Sequence, residues 1–160
     1  MRLSTRGRYA VMAMVDLAQH AGERPVALSD IAVRQGISLS YLEQLFSKLR
    51  KEELVRSIRG PGGGYHLAKD AKDISISSVI LAVDEPLSAL GCDREGKGTD
   101  GCTHEHRCIT HRLWGQLTRN IHLWLDNVSL EDVCSGVLNN DEEDLLENIN
   151  PMNPIYEIEL

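Results

Sequence analysis

The sequence predicts a mainly α fold with a small β-hairpin and one long helix, on three observations. Apolar residues recur at helical spacing in three successive stretches within the first fifty residues. A strand-like run, Leu54-Val55-Arg56-Ser57-Ile58, is followed by the turn cluster Arg59-Gly60-Pro61-Gly62-Gly63-Gly64 and a returning run, Tyr65-His66-Leu67-Ala68. Helical periodicity then continues unbroken from about residue 109 to 125. Three short helices before a glycine-rich hairpin define a winged helix-turn-helix.

The first helix is expected over about residues 5–20, with Tyr9, Ala10, Ala13, Met14, Leu17 and Ala18 on its inner face and Gly22 as a stop. A short second helix carries Leu28, Ile31 and Ala32 and ends at Gly36, where a left-handed cap suits glycine. Ile37 is the turn residue. The third helix has two candidate N-caps: Ser38, or Ser40 in a capping box with Glu43. Its buried stripe is Leu42, Leu45, Phe46 and Leu49, and Ser40, Tyr41, Glu43, Gln44, Ser47, Lys48 and Lys51 face the other way. After the hairpin, a helix covers about 77–83. Residues 91–103 read as a polar loop. The long helix has an apolar face of Leu113, Leu117, Ile121, Trp124 and Leu125, and Ser129 with Asp132 caps a last helix through about 138. The chain divides into a reading unit (1–73), a loop and helices (74–138), and an acidic tail (139–160) expected to be disordered.

With 160 residues and 42% hydrophobic composition the chain suits one globular domain or a small domain with an appendage. No apolar run approaches bilayer length and no signal-peptide pattern opens the chain, so a soluble cytoplasmic protein without membrane contact is expected. The net charge of −7 is unevenly placed. Residues 1–72 hold twelve Lys/Arg against seven Asp/Glu, residues 73–140 five against ten, and residues 141–160 none against seven. A basic first half suits a polyanionic partner.

In a helix-turn-helix the second helix enters the major groove of double-stranded DNA, its N-terminal exposed residues meeting base edges. Here these are Ser38, Ser40, Tyr41, Glu43 and Gln44. Gln pairs bidentately with adenine, Glu accepts from the cytosine amino group, and hydroxyls serve bases or phosphates. Lys48, Arg50 and Lys51 fit phosphates, joined by Arg2, Arg6 and Arg8. Any amphipathic helix has a polar face, so the hairpin adds the stronger signal. Its tip places Arg59 and Gly60 where a thin turn can enter a narrow minor groove of enhanced negative potential. Four glycines there exceed what a hairpin ordinarily needs. The glycines fit a phosphate-cradling loop poorly, because Tyr65-His66 stands where a Walker loop requires Lys-Ser/Thr and Tyr65 where a dinucleotide loop requires its third glycine.

The segment Cys92-x9-Cys102-x5-Cys108-x2-His111 supplies three thiolates and an imidazole, a complete four-ligand set, with His104 and His106 as rival imidazoles. Cys108 and His111 lie three residues apart at the start of the long helix, on one face. Zinc is the default, though zinc sites favour close Cys-x2-Cys pairs. Wide spacing suits a 2Fe-2S cluster, each iron needing two protein ligands. A metal-free thiol switch is the third reading. No Cys-x2-Cys pair or oriented nucleophile supports an enzyme. Cys134, in an apolar pattern, is expected in the core.

The chain resembles the IscR-type iron–sulfur cluster regulators, a winged-helix family of bacterial repressors, over roughly residues 1–138. The resemblance rests on Met1-Arg2-Leu3-Ser4 with Gly7-Arg8-Tyr9-Ala10, on Gln35-Gly36-Ile37-Ser38 with Tyr41-Leu42-Glu43-Gln44-Leu45-Phe46, and on Arg59-Gly60-Pro61-Gly62-Gly63-Gly64-Tyr65. It implies a homodimer paired through the long helix, so that helix is expected to be a dimerisation helix. It implies a 2Fe-2S cluster on Cys92, Cys102, Cys108 and His111, with the iron–sulfur assembly machinery as donor. It implies repression of iron–sulfur assembly genes from a palindromic operator. Some relatives sense nitric oxide or redox state instead. The nine-residue first gap is longer than the pattern of the nearest relatives.

Overall fold

The computed structural model describes residues 4–22, 24–85, 87 and 110–138. The elements run α1 (Thr5–Gln19), α2 (Leu28–Gln35), α3 (Leu39–Lys51), β1 (Val55–Ile58), β2 (Gly64–Leu67), a 3-10 turn (Ala71–Asp73), α4 (Ile76–Ala82), α5 (His111–Asn127) and α6 (Leu130–Ser135). The predicted fold class therefore holds: mostly helical, with one two-stranded antiparallel hairpin.

The Ser4 hydroxyl caps α1 by accepting from the Arg6 N–H at 3.2 Å. The helix presents Ala10, Ala13, Met14 and Leu17 to the interior, all fully inaccessible. Against them pack Ile31 of α2 and Leu42, Phe46 and Leu49 of α3. One apolar cluster continues from there through Val55, Ile74, Val79 and Ile80 to Leu130 of α6.

The turn between α2 and α3 is built as its sequence demands. Gly36 takes φ +64°, and its N–H closes α2 on the Ala32 carbonyl. Ile37 drops into the core at 5% exposure. Of the two candidate N-caps of α3, the backbone selects Ser38: its carbonyl accepts from the Tyr41 and Leu42 N–H groups, both at 3.1 Å. Ser40 lies inside the first turn, so the Ser40–Glu43 capping box does not form. Ser38 itself contributes no side-chain cap bond.

In the hairpin Val55 faces Leu67, Arg56 faces His66, Ser57 faces Tyr65 and Ile58 faces Gly64. Residue 26 extends the sheet by a bridge on the other edge of β2, with Val26 N–H to Tyr65 carbonyl at 3.0 Å and the reverse bond at 2.8 Å. Tyr65 also packs edge-on against Phe46, ring centroids 4.9 Å apart. The wing is thus fixed to the third helix by an aromatic contact and to the α1–α2 connection by a backbone ladder.

Beyond the 3-10 turn, Ser75 and Ser129 form an isolated antiparallel bridge, with Ile76 N–H to Val128 carbonyl at 2.9 Å and Leu130 N–H to Ile74 carbonyl at 2.8 Å. The Asp126 carboxylate at the end of α5 accepts from the Ser77 hydroxyl at 2.6 Å, tying α5 to α4. The expected Ser129–Asp132 capping box opens α6. The helix stops at Ser135 rather than near 138, because Gly136 takes φ +71°. Among the described side chains of α5, Leu125 alone is buried; Leu113 is 59% exposed, Leu117 41% and Trp124 39%. The predicted apolar face exists, but most of it points away from this chain. The expected loop over 91–103 and the acidic tail lie outside the described residues.

Candidate nucleic-acid interface and metal centre

The exposed side of α3 carries Ser38 at its cap, then Ser40, Glu43, Gln44 and Ser47. Among the described residues none of the hydroxyl, carboxylate or amide groups of Ser38, Ser40, Glu43 and Gln44 is bound to another side chain, which leaves them available to a ligand. Buried Leu42, Leu45, Phe46 and Leu49 fix the opposite side, so the polar groups sit on a rigid helix rather than on a loop.

Two of the residues expected to meet DNA have structural duties as well. Tyr41 is half-buried, its ring edge-on to Tyr9 at 6.1 Å between centroids. The Lys48 ammonium lies 2.7 Å from the Asp84 carboxylate just past α4. The hydrogen bond and charge of Lys48 hold the Asp84 carboxyl below its usual range. Arg50 is exposed and donates to the Ser57 hydroxyl of β1 at 3.4 Å. Arg6 reaches the Asp84 carbonyl at 3.4 Å, Arg8 is exposed, and Arg2 lies outside the described residues.

At the wing tip Arg59 is exposed beside Gly60, which takes φ +112°. The glycine run has a local cause, which corrects the expectation that it exceeds the hairpin's own needs. Gly60 and Gly62 adopt positive φ. A Cβ on Gly63 would stand 2.4 Å from the Ile58 carbonyl oxygen, and one on Gly64 2.4 Å from that of Val26. The nucleic-acid signal at the tip therefore rests on Arg59, not on the glycines.

One residue without a sequence motif of its own organises the reading unit. Asp16 of α1 is 2% exposed. Arg34 Nε donates to both carboxylate oxygens at 3.1 Å, Arg34 Nη2 to Oδ1 at 2.6 Å, and Gln35 Nε2 to Oδ2 at 2.7 Å. Burial pushes the Asp16 carboxyl up, but the Arg34 and Gln35 hydrogen bonds and the Arg34 charge outweigh it and hold it below the ordinary carboxylate value. This clamp locks the last turn of α2 onto α1 just before the Gly36 turn. Its only sequence signal is an acidic residue adjoining the apolar stripe of α1.

Of the expected metal ligands, His111 is the first residue of α5, while Cys92, Cys102 and Cys108 lie outside the described residues. Among the described residues no group of three or more His, Cys, Asp or Glu is arranged to hold a metal. The donor set itself fits an iron–sulfur group: three thiolates and one imidazole provide two ligands for each of two irons. Cys134, expected in the core, is half-buried and packs against it, its Sγ 3.9 Å from the Val15 carbonyl oxygen, and burial followed by the Glu131 charge pushes its thiol up.

A helix-turn-helix with an unencumbered polar third helix and an arginine-tipped wing defines a DNA-binding transcription regulator. The chain belongs to the Rrf2 family, described as iron-dependent transcriptional regulators, whose profile matches residues 3–136. It is 55% identical over 136 residues to the HTH-type transcriptional regulator IscR of Serratia proteamaculans, covering 85% of this chain and 80% of that one. It is 54% identical, with the same coverage, to the IscR of Photorhabdus laumondii. Among solved structures it is similar to T. potens IscR, with TM-score 0.68, 38% identity and coverage of 85% of this chain and 88% of that one. It is also similar to CymR, the global cysteine regulator of B. subtilis, with TM-score 0.70, 33% identity and coverage of 85% and 98%. These relatives are regulators, not enzymes, and among the described residues no helix is long and apolar enough to cross a membrane.

Proposed function

We propose that the protein is a cytoplasmic repressor that senses iron–sulfur supply through a 2Fe-2S cluster and controls iron–sulfur assembly genes. The observation that carries this reading is the donor set Cys92, Cys102, Cys108 and His111 on a chain of the Rrf2 family. Residues 1–73 serve as the reading unit. Ser38, Ser40, Glu43 and Gln44 meet base edges, and Tyr41 orients α3 through Tyr9. Arg50 and Lys48 serve phosphates, with Lys48 exchanging Asp84 for DNA, while Arg59 and Gly60 enter the minor groove and Arg2 adds charge at the chain start. Residues 74–138 serve as the sensing unit.

The exposed apolar face of α5, with Leu113, Leu117 and Trp124, supports pairing with a second copy. Leaving several large apolar side chains in water is costly, at about 1.5–3 kcal/mol for each such side chain fully buried. A two-fold dimer presents two α3 helices to successive major grooves, which calls for a palindromic operator. The assembly machinery is the donor of the cluster.

Cys92, Cys102, Cys108 and His111 would hold the cluster, which would supply a redox-active group whose potential depends on its ligands and hydrogen bonds. With the cluster bound, the three thiolates and His111 would tie the 92–111 segment to the start of α5, so occupancy would bias how α5 sets the two reading units. The test is anaerobic purification followed by visible spectroscopy and iron and sulfide assays. The unmodified chain should carry two irons and two sulfides, and alanine at Cys92, Cys102 or Cys108 should remove the visible absorbance. Full absorbance in all three variants, or zinc in place of iron, overturns the assignment.

A further inference from the structure

If α3 lies in a major groove and Arg59 in the adjoining minor groove, the sugar–phosphate strand that separates the two grooves has to cross the surface between them. That surface holds an open depression at the base of the wing, lined by Arg50, Glu53, Val55, Arg56, Ala68 and Lys69. Three segments converge there. Arg50 comes from the last turn of α3, Arg56 from β1, and Lys69 from just beyond β2.

Their placement is fixed by the backbone. Ala68 N–H donates to the Leu54 carbonyl at 3.0 Å, which closes the hairpin base and sets Lys69 beside the start of β1. Arg50 is drawn toward the same strand by its bond to Ser57. Val55, at 2% exposure, forms the floor. Arg50, Arg56 and Lys69 are all exposed, and among the described residues none of them forms an ion pair. Glu53, held at φ +55°, is the one carboxylate of the lining. Three cations without an ion pair among the described residues, against one carboxylate, between the end of α3 and the wing, make a site for a polyanionic backbone rather than for a small neutral ligand.

We propose that Arg56 and Lys69, together with Arg50, form a phosphate-binding track at the wing base. It grips the sugar–phosphate strand between the two grooves and sets the register of α3 and Arg59 on the duplex. The proposal rests on the DNA-reading surface described above and adds Arg56 and Lys69 to it. Contacts to phosphate position a protein without reading sequence, so the track contributes affinity and salt dependence but no base preference.

The test uses the full chain and two 30-base-pair duplexes: one of mixed sequence, and one enriched from a random pool by the unmodified protein. Affinity is measured by fluorescence anisotropy from 50 to 200 mM salt for Arg56→Gln, Lys69→Gln and the double variant. Each phosphate that is no longer neutralised makes the slope of log affinity against log salt shallower by about 0.9. The double variant should therefore have a slope shallower by about 1.8 per bound protomer, by the same amount on both duplexes. The charge-conserving pair Arg56→Lys with Lys69→Arg should keep the original slope. A melting temperature equal to that of the unmodified chain shows that the fold is intact.

An unchanged slope in the double Gln variant overturns the track. So does an effect confined to the enriched duplex, which would mean base reading instead. Gln44→Ala and Arg59→Ala separate this outcome from failure of the underlying reading. If they weaken binding while the double variant does not, only the track fails. If none of these variants alters binding, the whole DNA-reading surface fails.

Discussion

Removing either partner of the Asp16–Arg34 clamp should destabilise the protein, but unequally. Arg34→Ala leaves a carboxylate that is 2% exposed with Gln35 as its one remaining strong donor, His20 Nδ1 standing 3.5 Å away. Stranding a buried charge typically costs about 3–5 kcal/mol. Asp16→Ala instead leaves the guanidinium, whose side chain is 32% exposed and can recover water. Its cost should be about 1.5–3 kcal/mol, the range for hydrogen bonds to a charged group. In the unmodified protein Asp16 has a depressed carboxyl. Its contribution is therefore present above the unfolded value of 3.8 and is lost as pH falls through the folded value. In Arg34→Ala both Arg34 contributions are gone and burial, the largest influence, is opposed by the Gln35 hydrogen bond and the His20 charge, so the Asp16 carboxyl rises and protonation relieves the penalty. The stability gap between Arg34→Ala and the unmodified chain should shrink from pH 7 to pH 4. Urea unfolding followed by circular dichroism at both pH values measures it. A larger loss for Asp16→Ala than for Arg34→Ala, or a gap that does not narrow in acid, refutes the reasoning.

Two further outcomes follow from the packing. Gly64→Ala would force a Cβ to within 2.4 Å of the Val26 carbonyl oxygen, so it should break the Val26–Tyr65 ladder and cost about 1–3 kcal/mol; thermal melting checks this, and an unchanged melting temperature contradicts it. Leu117→Asp lies on the exposed face of α5, so it should leave the protomer folded while shifting sedimentation of the proposed dimer toward monomer; a dimer of unaltered strength would remove α5 from the proposed interface.

Where local chemistry fixes structure, the sequence is readable. Gly36 ends α2 in the left-handed conformation its position implies, the Ser129–Asp132 box opens α6, and the hairpin turns within Arg59–Gly64. The failures have particular causes. Ser40 with Glu43 matches a capping box, but the backbone bonds of α3 already begin at Ser38, and a side-chain pattern cannot show which carbonyl accepts first. Gly136 stops α6 early although the apolar pattern runs on through Val137 and Leu138, both exposed. Asp16 and Lys48 are illegible in sequence because their partners, Arg34 and Asp84, come from other segments, and a charge on a single helix reads as solvated until tertiary packing supplies its counterion. The four wing glycines suggest a ligand for the wrong reason, since each answers a local backbone requirement. The polar side of α3 is legible at Ser40, Glu43, Gln44 and Ser47, because the buried stripe fixes the opposite side, but not at Tyr41, which is half-buried against Tyr9.

A DNA-reading role for α3 and the wing underlies every binding outcome above. Its most direct test is operator affinity across salt for the unmodified chain, Gln44→Ala and Arg59→Ala. Affinity should fall steeply as salt rises from about 50 to 200 mM, through release of counterions from phosphates. Gln44→Ala should relax discrimination at one base position by about 1–3 kcal/mol, and Arg59→Ala should weaken binding most where the flanking minor groove is narrow. Unchanged affinity and unchanged base preference in both variants would rule that role out.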